Sequence, residues 1–429
     1  MDKDVIAVII IGVTIISFMM EKIPLGVTAM CSALAMAMFG ILRPAQVFAG
    51  FAGPITPLIV GMMIIGNGLF ETGAARIFGL KIAQSRLART ERGFVALIAL
   101  VAGVVSGFFS NTATVAMFMP IIAAVAYRSA GIIQAKYATM AMSMAVIIGS
   151  CISVVGNPTQ LILQNVLIQT EGGRRLGFLE VAPLSLTLLV VFCVYAYTWG
   201  YNISKKHFDF EEVKAPVPEN ELQEDKIDIN WRVIMSSLVT LAVIFVFVLN
   251  LWDQNLVAIT GAAVLLGTRC IDYKRALREV DWNTIVIISG AQAFAFGFDS
   301  SGGGRLVANF ILGLAGGESA SSFVLLVVAV FIAASLTNFM SNTALTAMMI
   351  PLFMPLALAV DASPITFGIA IAMASNMSIA TPVGTVCVAM TLPVGYRYKD
   401  YVRYGLPMNI LLAILVIPLV LLFFGMNYK

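Results

Sequence analysis

Ser110-Asn111-Thr112-Ala113-Thr114-Val115-Ala116-Met117-Phe118-Met119-Pro120 recurs in the second half of the chain as Ser341-Asn342-Thr343-Ala344-Leu345-Thr346-Ala347-Met348-Met349-Ile350-Pro351. The shared pattern is S-N-T-A-x-x-A-M-x-x-P, and each copy is a small polar knot inside a long uncharged stretch. A duplicated polar site in lipid-soluble sequence marks a transporter built from two halves, with its binding sites where the halves meet.

The composition agrees. At 60% hydrophobic and 11% charged residues, with a mean hydropathy of +0.95, the chain is too apolar for a soluble globular domain. Its many apolar runs of about 20 residues match a hydrocarbon core of roughly 30 Å. They are continuous rather than alternating, which excludes a β-barrel. An all-α polytopic membrane protein is expected. The net charge of +3 carries no nucleic-acid signal, because the basic residues are spread over short loops. The five cysteines lie singly, without a disulfide framework or metal-ligand spacing. The only histidine, His207, sits in a charged segment. The start, Met-Asp-Lys-Asp, lacks the features of a cleaved signal peptide, so residues 5–20 read as a retained first span.

One long polar stretch, 202–230, holds the densest run of acidic residues, eight of the 23, with Pro216 and Pro218, and reads as a cytoplasmic linker. On either side the same order of segments repeats, over 1–201 and 231–429. The first half has spans near 5–20, 24–42 and 54–73, then an amphipathic segment at 74–92. A hairpin (93–127), an uncharged segment (137–170) and a span near 180–201 follow. The second half has spans near 232–250, 254–268 and 282–299 and an amphipathic segment at 301–318. Then come a hairpin (319–360), an uncharged segment (362–396) and a last span near 405–426. Glu71-Thr72-Gly73 finds its counterpart in Asp299-Ser300-Ser301-Gly302.

If each hairpin enters and leaves by one face, each half crosses five times and the two repeats are inverted. Of the 26 Lys and Arg, only Lys3, Arg43, Arg174, Arg175, Arg305 and Lys429 then fall on one face. The other face is cytoplasmic and both termini are extracytoplasmic, in a multi-pass protein of the inner membrane. Hairpins made of two full spans would give the same parity. Segment 137–170, as one straight helix, would run about 50 Å, well beyond the hydrocarbon core. It is therefore expected to be a broken helix, interrupted at Gly156-Asn157-Pro158, and 362–396 a second, interrupted near Pro382 and Gly384. Non-helical backbone at membrane depth persists only where protein or an ion satisfies the freed groups.

Ser106 lies one helical turn before Ser110, and Thr337 one turn before Ser341. Hydroxyls, an Asn carbonyl and free backbone carbonyls are the hard, neutral oxygens that a desolvated alkali cation requires. Such side chains often only bond a neighbouring helix; matched hydroxyls and matched breaks in both copies argue for a site. Neither hairpin and neither broken segment contains an acidic residue that could carry a proton, or a Lys or Arg that could neutralise an anion. Bound cations, helix N-termini and neutral donors must supply the complementary field.

The two S-N-T tips, the segments ending near Thr72-Gly73 and Ser301-Gly302, and the paired breaks resemble the divalent anion:sodium symporters of the ion transporter superfamily, over nearly the whole chain. The resemblance implies re-entrant hairpins whose tips meet broken helices, each tip binding one sodium ion with the substrate between them. The first sodium site would be Ser106, Ser110, Asn111 and the backbone at Gly156. The second would be Thr337, Asn342 and the backbone at Gly384. Asn111, Thr112, Asn342 and Thr343 would contact the substrate, with Thr385 nearby. The family works as a homodimeric elevator, with segments 74–92 and 301–318 as interfacial arms. The chain departs from the family's Thr-Pro-Pro-Asn at each break, with Asn157-Pro158-Thr159-Gln160 and Thr385-Val386-Cys387-Val388. It is also shorter, and is expected to lack the family's extra N-terminal span.

The expected function is import of a small di- or tricarboxylate with two or more sodium ions, Na+ being cargo. An inorganic divalent anion such as sulfate is an alternative substrate. A sodium/proton or arsenite-type oxyanion exporter is the rival within the superfamily. A membrane enzyme or open channel fits less well, for want of a catalytic constellation and because paired sites favour alternating access. The partners implied are the anion, the lipid bilayer and a second copy of the chain, with no nucleic acid.

Overall fold

A computed structural model describes residues 3–20, 22–53, 55–74, 77, 90–129, 132–210, 230–249, 251–303, 306–307 and 321–426. The first half opens with α1 (Lys3–Met20), α2 (Leu25–Met38), the short α3 (Pro44–Phe48) and α4 (Ile55–Glu71). A hairpin of α5 (Glu91–Ser106) and α6 (Asn111–Arg128) follows, then α7 (Ala135–Gly149) and α8 (Pro158–Leu167), and finally α9 (Ala182–Tyr197) and α10 (Trp199–His207). The second half repeats the order. It runs through α11 (Trp231–Val248), α12 (Gln254–Gly267), the short α13 (Tyr273–Arg278) and α14 (Trp282–Ser300). The second hairpin is α15 (Ser322–Leu336) and α16 (Asn342–Ala359), followed by α17 (Pro364–Ser375), the single-turn α18 (Val386–Ala389) and α19 (Tyr398–Phe424).

The repeat extends to capping detail. Beyond α4 the chain turns at Gly73 (φ +83°) and beyond α14 at Gly302 (φ +82°). Both are left-handed positions that end a helix and that a Cβ disfavours. The short helices α3 and α13 occupy equivalent places and were not anticipated, being too brief to leave a periodic signal.

Two groups of helices result. In one, α2 packs along α14 and α4 along α12, so each half supplies the partner of the other's third long helix, with α1 and α11 outside. In the other, α5 packs on α7 and α15 on α17, with α9 against the first pair, α19 against the second, and α9 and α19 against each other. The α5–α7 crossing is backbone to backbone. A Cβ on Gly149 would lie 2.0 Å from the Gly103 carbonyl oxygen and 2.6 Å from its Cα. This close approach of small residues, typical of helices packed without a hydrophobic drive, brings the end of α5 against the end of α7.

Several boundaries differ from expectation. The linker does not begin at 202, because α9 continues through a 46° bend into α10. Residues 211–229 of it lie outside the described residues, as do most of 74–92 and 301–318. The first break opens at Ser150 rather than at Gly156, and α8 starts at Pro158, whose missing N–H costs nothing at a helix's first turn. The second break is longer: after Ser375 no helix resumes until Val386, and α18 gives way to a 3-10 turn at Leu392–Val394. Among the described residues, α11, α16 and α19 are each long and apolar enough to cross a membrane, with α9 and α10 a fourth span if counted together.

Candidate functional site

Each hairpin tip sits against the break that follows it in sequence. At the first, the Ser153 hydroxyl donates to the Gly107 carbonyl of the tip. Ser106, fully buried at the end of α5, donates to Gly103 O at 2.8 Å and across to Val146 O of α7 at 2.6 Å. At the second, Thr337 is the buried residue at the end of α15. Its hydroxyl donates to Asn342 Oδ1 at 2.8 Å and to the Ser375 carbonyl at the end of α17. Asn338 closes the same tip: its Oδ1 accepts from Ala380 N at 3.0 Å and its carbonyl from the Thr381 hydroxyl.

The halves then cross. The exit helix of the first break, α8, packs against α16 of the second hairpin, and α18 packs against α6 of the first. The junction is polar. Asn376 Oδ1 accepts from Asn157 Nδ2 at 2.6 Å and from Asn342 Nδ2 at 3.1 Å. Its own Nδ2 lies 2.6 Å from Ile147 O, 3.0 Å from Cys151 Sγ and 3.1 Å from Ser150 Oγ. Asn157 Nδ2 also reaches Ser150 Oγ at 2.9 Å, and its Oδ1 caps α8 at Thr159 N, 3.0 Å away.

The two glycines expected at the sites sit in oxygen-lined cradles. A Cβ on Gly156 would meet Ser150 O at 2.4 Å and Gly107 O at 2.6 Å; on Gly384 it would meet Thr337 O at 2.1 Å and Ser378 Cβ at 2.7 Å. Only glycine lets the tip carbonyl come this close to each break. Around them are buried polar atoms without a hydrogen-bond partner: Asn111 Oδ1, Thr159 Oγ1 and Gln160 Oε1 in the first half, Ser375 Oγ and Ser378 Oγ in the second. Leaving a buried oxygen unpaired costs about 1–3 kcal/mol. Such groups in a native interior call for water, an ion or a substrate.

The expected site residues therefore separate into two sorts. Ser106 and Gly156 meet across the first tip through Gly107 and the end of α7, and Asn111 turns a free buried oxygen inward. Thr337, Asn342 and Gly384 converge directly. Ser110, by contrast, is exposed, with its hydroxyl 2.9 Å from that of exposed Thr112. Thr343 is half-buried, and Thr385 accepts from Cys387 N at 3.4 Å, capping α18.

Neither Ser110 nor Ser341 caps the helix it begins. The starts of α6 and α16 keep backbone N–H groups and a positive dipole end available to an anion. Among the described residues no group of three His, Cys, Asp or Glu could hold a metal ion. The donor set is neutral oxygen, suited to a weakly hydrated monovalent cation rather than a transition metal. Asn376, Ser375 and Ser378 were not singled out from sequence, and Asn157 only as part of the break and of its departure from the family pattern. Their signal was present, as uncharged polar residues flanking each break within otherwise apolar sequence.

The profile of the citrate transporter family (CitMHS) matches residues 15–365. The uncharacterized transporter YfbS of Escherichia coli is 21% identical, with 96% of this chain and 98% of that protein aligned. The sodium-dependent dicarboxylate transporter SdcS of Staphylococcus saprophyticus is 25% identical over 94% of this chain and 82% of its own. Among solved structures, the YdaH transporter of Alcanivorax borkumensis has a similar fold, with a TM-score of 0.64 at 16% identity, covering 89% of this chain and 88% of that one. Neisseria gonorrhoeae MtrF, of a class of antimetabolite efflux pumps, gives a TM-score of 0.61 at 16% identity, over 87% of this chain and 82% of its own. With its tips, breaks and matched sequence taken together, the chain belongs to the citrate transporter family, within the superfamily of the divalent anion:sodium symporters, and is a membrane transporter rather than an enzyme.

Proposed function

We propose that the protein imports a small di- or tricarboxylate together with two or more sodium ions. The observation that carries this reading is the pair of glycine cradles, each closed by a tip carbonyl, with a break carbonyl added at Gly156, and each neighboured by unpaired buried oxygens. Sodium would occupy the cradle at Ser106, Asn111 and Gly156, and a second ion the cradle at Thr337, Asn342 and Gly384. Ser110 would join the first site by turning away from Thr112. The carboxylates would lie between the starts of α6 and α16, against Asn111, Thr112, Asn342 and Thr343, with Thr385 beside them. No charged side chain occurs in 93–127, 137–170, 319–360 or 362–396. Cation and anion would then neutralise one another, so each raises the other's affinity by the same factor.

The halves act in this reading as inverted repeats, 1–201 and 231–429 joined by a cytoplasmic linker. The group containing both hairpins and both broken helices slides as a unit against the group of α1–α4 and α11–α14. A dimer would hold the latter group still in the inner membrane. SdcS, a sodium-dependent dicarboxylate transporter by name, supports this substrate class. The test is uptake of labelled succinate into proteoliposomes with and without an inward sodium gradient, with citrate, malate and sulfate as competitors. Sodium-driven uptake that Asn111→Ala/Asn342→Ala abolishes, in protein that remains folded, is expected. Uptake indifferent to sodium, or wild-type transport by the double variant, would refute the coupling or the site.

A further inference from the structure

Three carboxamides form a chain through the centre of the molecule, and its polarity is dictated from one end. The main-chain oxygen of Ile147, in α7, can only accept, so Asn376 must turn its Nδ2 toward it, at 2.6 Å. Asn376 Oδ1 then faces the other way, and both of its neighbours must present nitrogen: Asn157 at 2.6 Å and Asn342 at 3.1 Å. A carboxamide has one donating and one accepting end. With its nitrogen committed to Asn376, Asn342 has to point its oxygen to the other side. There it accepts from the Thr337 hydroxyl at 2.8 Å, beside the Gly384 cradle. A flipped Asn342 would set two carbonyl oxygens against each other with no proton between them, in a site where Asn376 is 1% and Asn342 8% exposed.

We infer that Asn376 is a positioning residue: it fixes an oxygen of Asn342, rather than an NH2 group, toward the second cation cradle, on a polarity relayed from the broken helix of the first half. The inference rests on the sodium-coupled reading of that cradle. An NH2 group facing the ion would repel it, whereas a carbonyl oxygen is a ligand. The same carboxamide also holds Asn157, the N-cap of α8 next to Gly156. One side chain therefore anchors the relay in both halves, and the second cradle is the one whose ligand it sets. The residue pair at the two breaks, Asn157 from one half and Asn376 from the other, is what permits the relay.

The test uses purified full-length protein, reading sodium affinity from the rise in melting temperature with NaCl against choline chloride. Asn376→Leu keeps the size and removes both ends of the carboxamide. It is expected to raise half-saturating sodium about tenfold and to lower the Hill coefficient from about two toward one. Because the effect runs through Asn342, Asn342→Ala/Asn376→Leu should match Asn342→Ala alone in half-saturating sodium. A packing role would instead lower the melting temperature at every salt concentration while leaving half-saturating sodium unmoved. That outcome overturns the inference, and so does an additive double variant. If Asn376→Leu does not accumulate as folded protein, Asn376→Ser, which lacks the second arm of the carboxamide, decides on the same readout. Wild-type protein that sodium does not stabilise, and that takes up succinate regardless of sodium, would sink the underlying reading. A sodium-responsive wild type with an unshifted variant would sink the relay alone.

Discussion

Gly156→Ala adds one methyl at the point where the first tip meets the first break. The new Cβ would stand 2.4 Å from Ser150 O, 2.6 Å from Gly107 O and 2.9 Å from Gly107 C, whereas ordinary contact begins at 3.4 Å. All three are backbone atoms, so none can swing aside as the end of a side chain would. Ser150 caps α7, which is pinned to α5 at Gly103 and Gly149; Gly107 O accepts from the Ser153 hydroxyl. The tip must therefore retreat as a body, at the cost of about 1–3 kcal/mol that overpacking of a rigid site usually exacts. The carbonyls driven apart are those proposed to bind the cation. If the whole cost falls on the cation-bound state, half-saturating sodium rises about five- to 150-fold. Sodium titration of succinate uptake in proteoliposomes measures the shift, and thermal melting without sodium measures what falls on the fold. Gly12→Ala is the control, since nothing lies within 4 Å of a Cβ there. Gly156→Ala with both melting and half-saturating sodium unchanged would refute the cradle.

Other substitutions probe separate parts of the argument. Thr337→Val should leave Asn342 Oδ1 and the Ser375 carbonyl without their donor, lowering stability by about 1–3 kcal/mol in sodium-free melts; Thr337→Ser, which keeps the hydroxyl, should lose less than half as much. Gly149→Val is expected to yield no monodisperse protein on size-exclusion chromatography, because even its Cβ would lie 2.0 Å from Gly103 O. Asp253→Ala should cost about 1 kcal/mol by uncapping α12, and Asp253→Asn much less, since an amide oxygen can still accept from Asn255 N at 2.9 Å. Partial burial alone would raise the Asp253 pKa, but the N–H groups of Asn255 and Leu256 and the Arg175 guanidinium hold it below the ordinary carboxylate range. Its contribution is thus complete above the unfolded-state value and is lost as pH falls through the lower folded value. Melting curves of Asp253→Asn and wild type should converge on acidification through that window; a gap that widens toward low pH would contradict the assignment.

The helices were legible because an apolar run of about 20 residues has few other ways to satisfy its backbone in lipid. The breaks were legible because Pro158 and Pro382 cannot sit inside a helix without breaking its ladder, and the glycines near them weaken it further. What sequence could not supply is where a break begins. The α7 helix stops at Gly149, well before Pro158, because the Gly103 crossing and the bond from the Ser106 hydroxyl to Val146 O hold its end against the first tip. That is a tertiary cause with no local signature. Likewise, α18 is one turn long where α8 is a full helix, although both follow a glycine in an apolar segment. Asn376 and Asn157 matter through each other, across more than half the chain, and no window along the sequence contains both.

The two tips also teach that an identical motif does not make an identical site. Asn111 and Asn342 each begin a long helix after a serine, and Ser106 and Thr337 each stand a turn behind. Both hydroxyls reach over to the helix that follows their hairpin, but Thr337 also meets Asn342, whereas Ser106 leaves Asn111 Oδ1 buried and unpartnered. The cause lies outside the motif. Asn376 stands opposite Asn342 and claims its nitrogen, and neither Asn157 nor Ser153 plays that part for Asn111. An ion entering the second cradle shares Asn342 Oδ1 with the Thr337 hydroxyl, whereas one entering the first relieves an oxygen with no partner. By the cost of a buried, unsatisfied acceptor, about 1–3 kcal/mol, the first cradle should fill at the lower sodium concentration. The order of binding then follows from which asparagine is already engaged, although the S-N-T sequence of the two tips is the same.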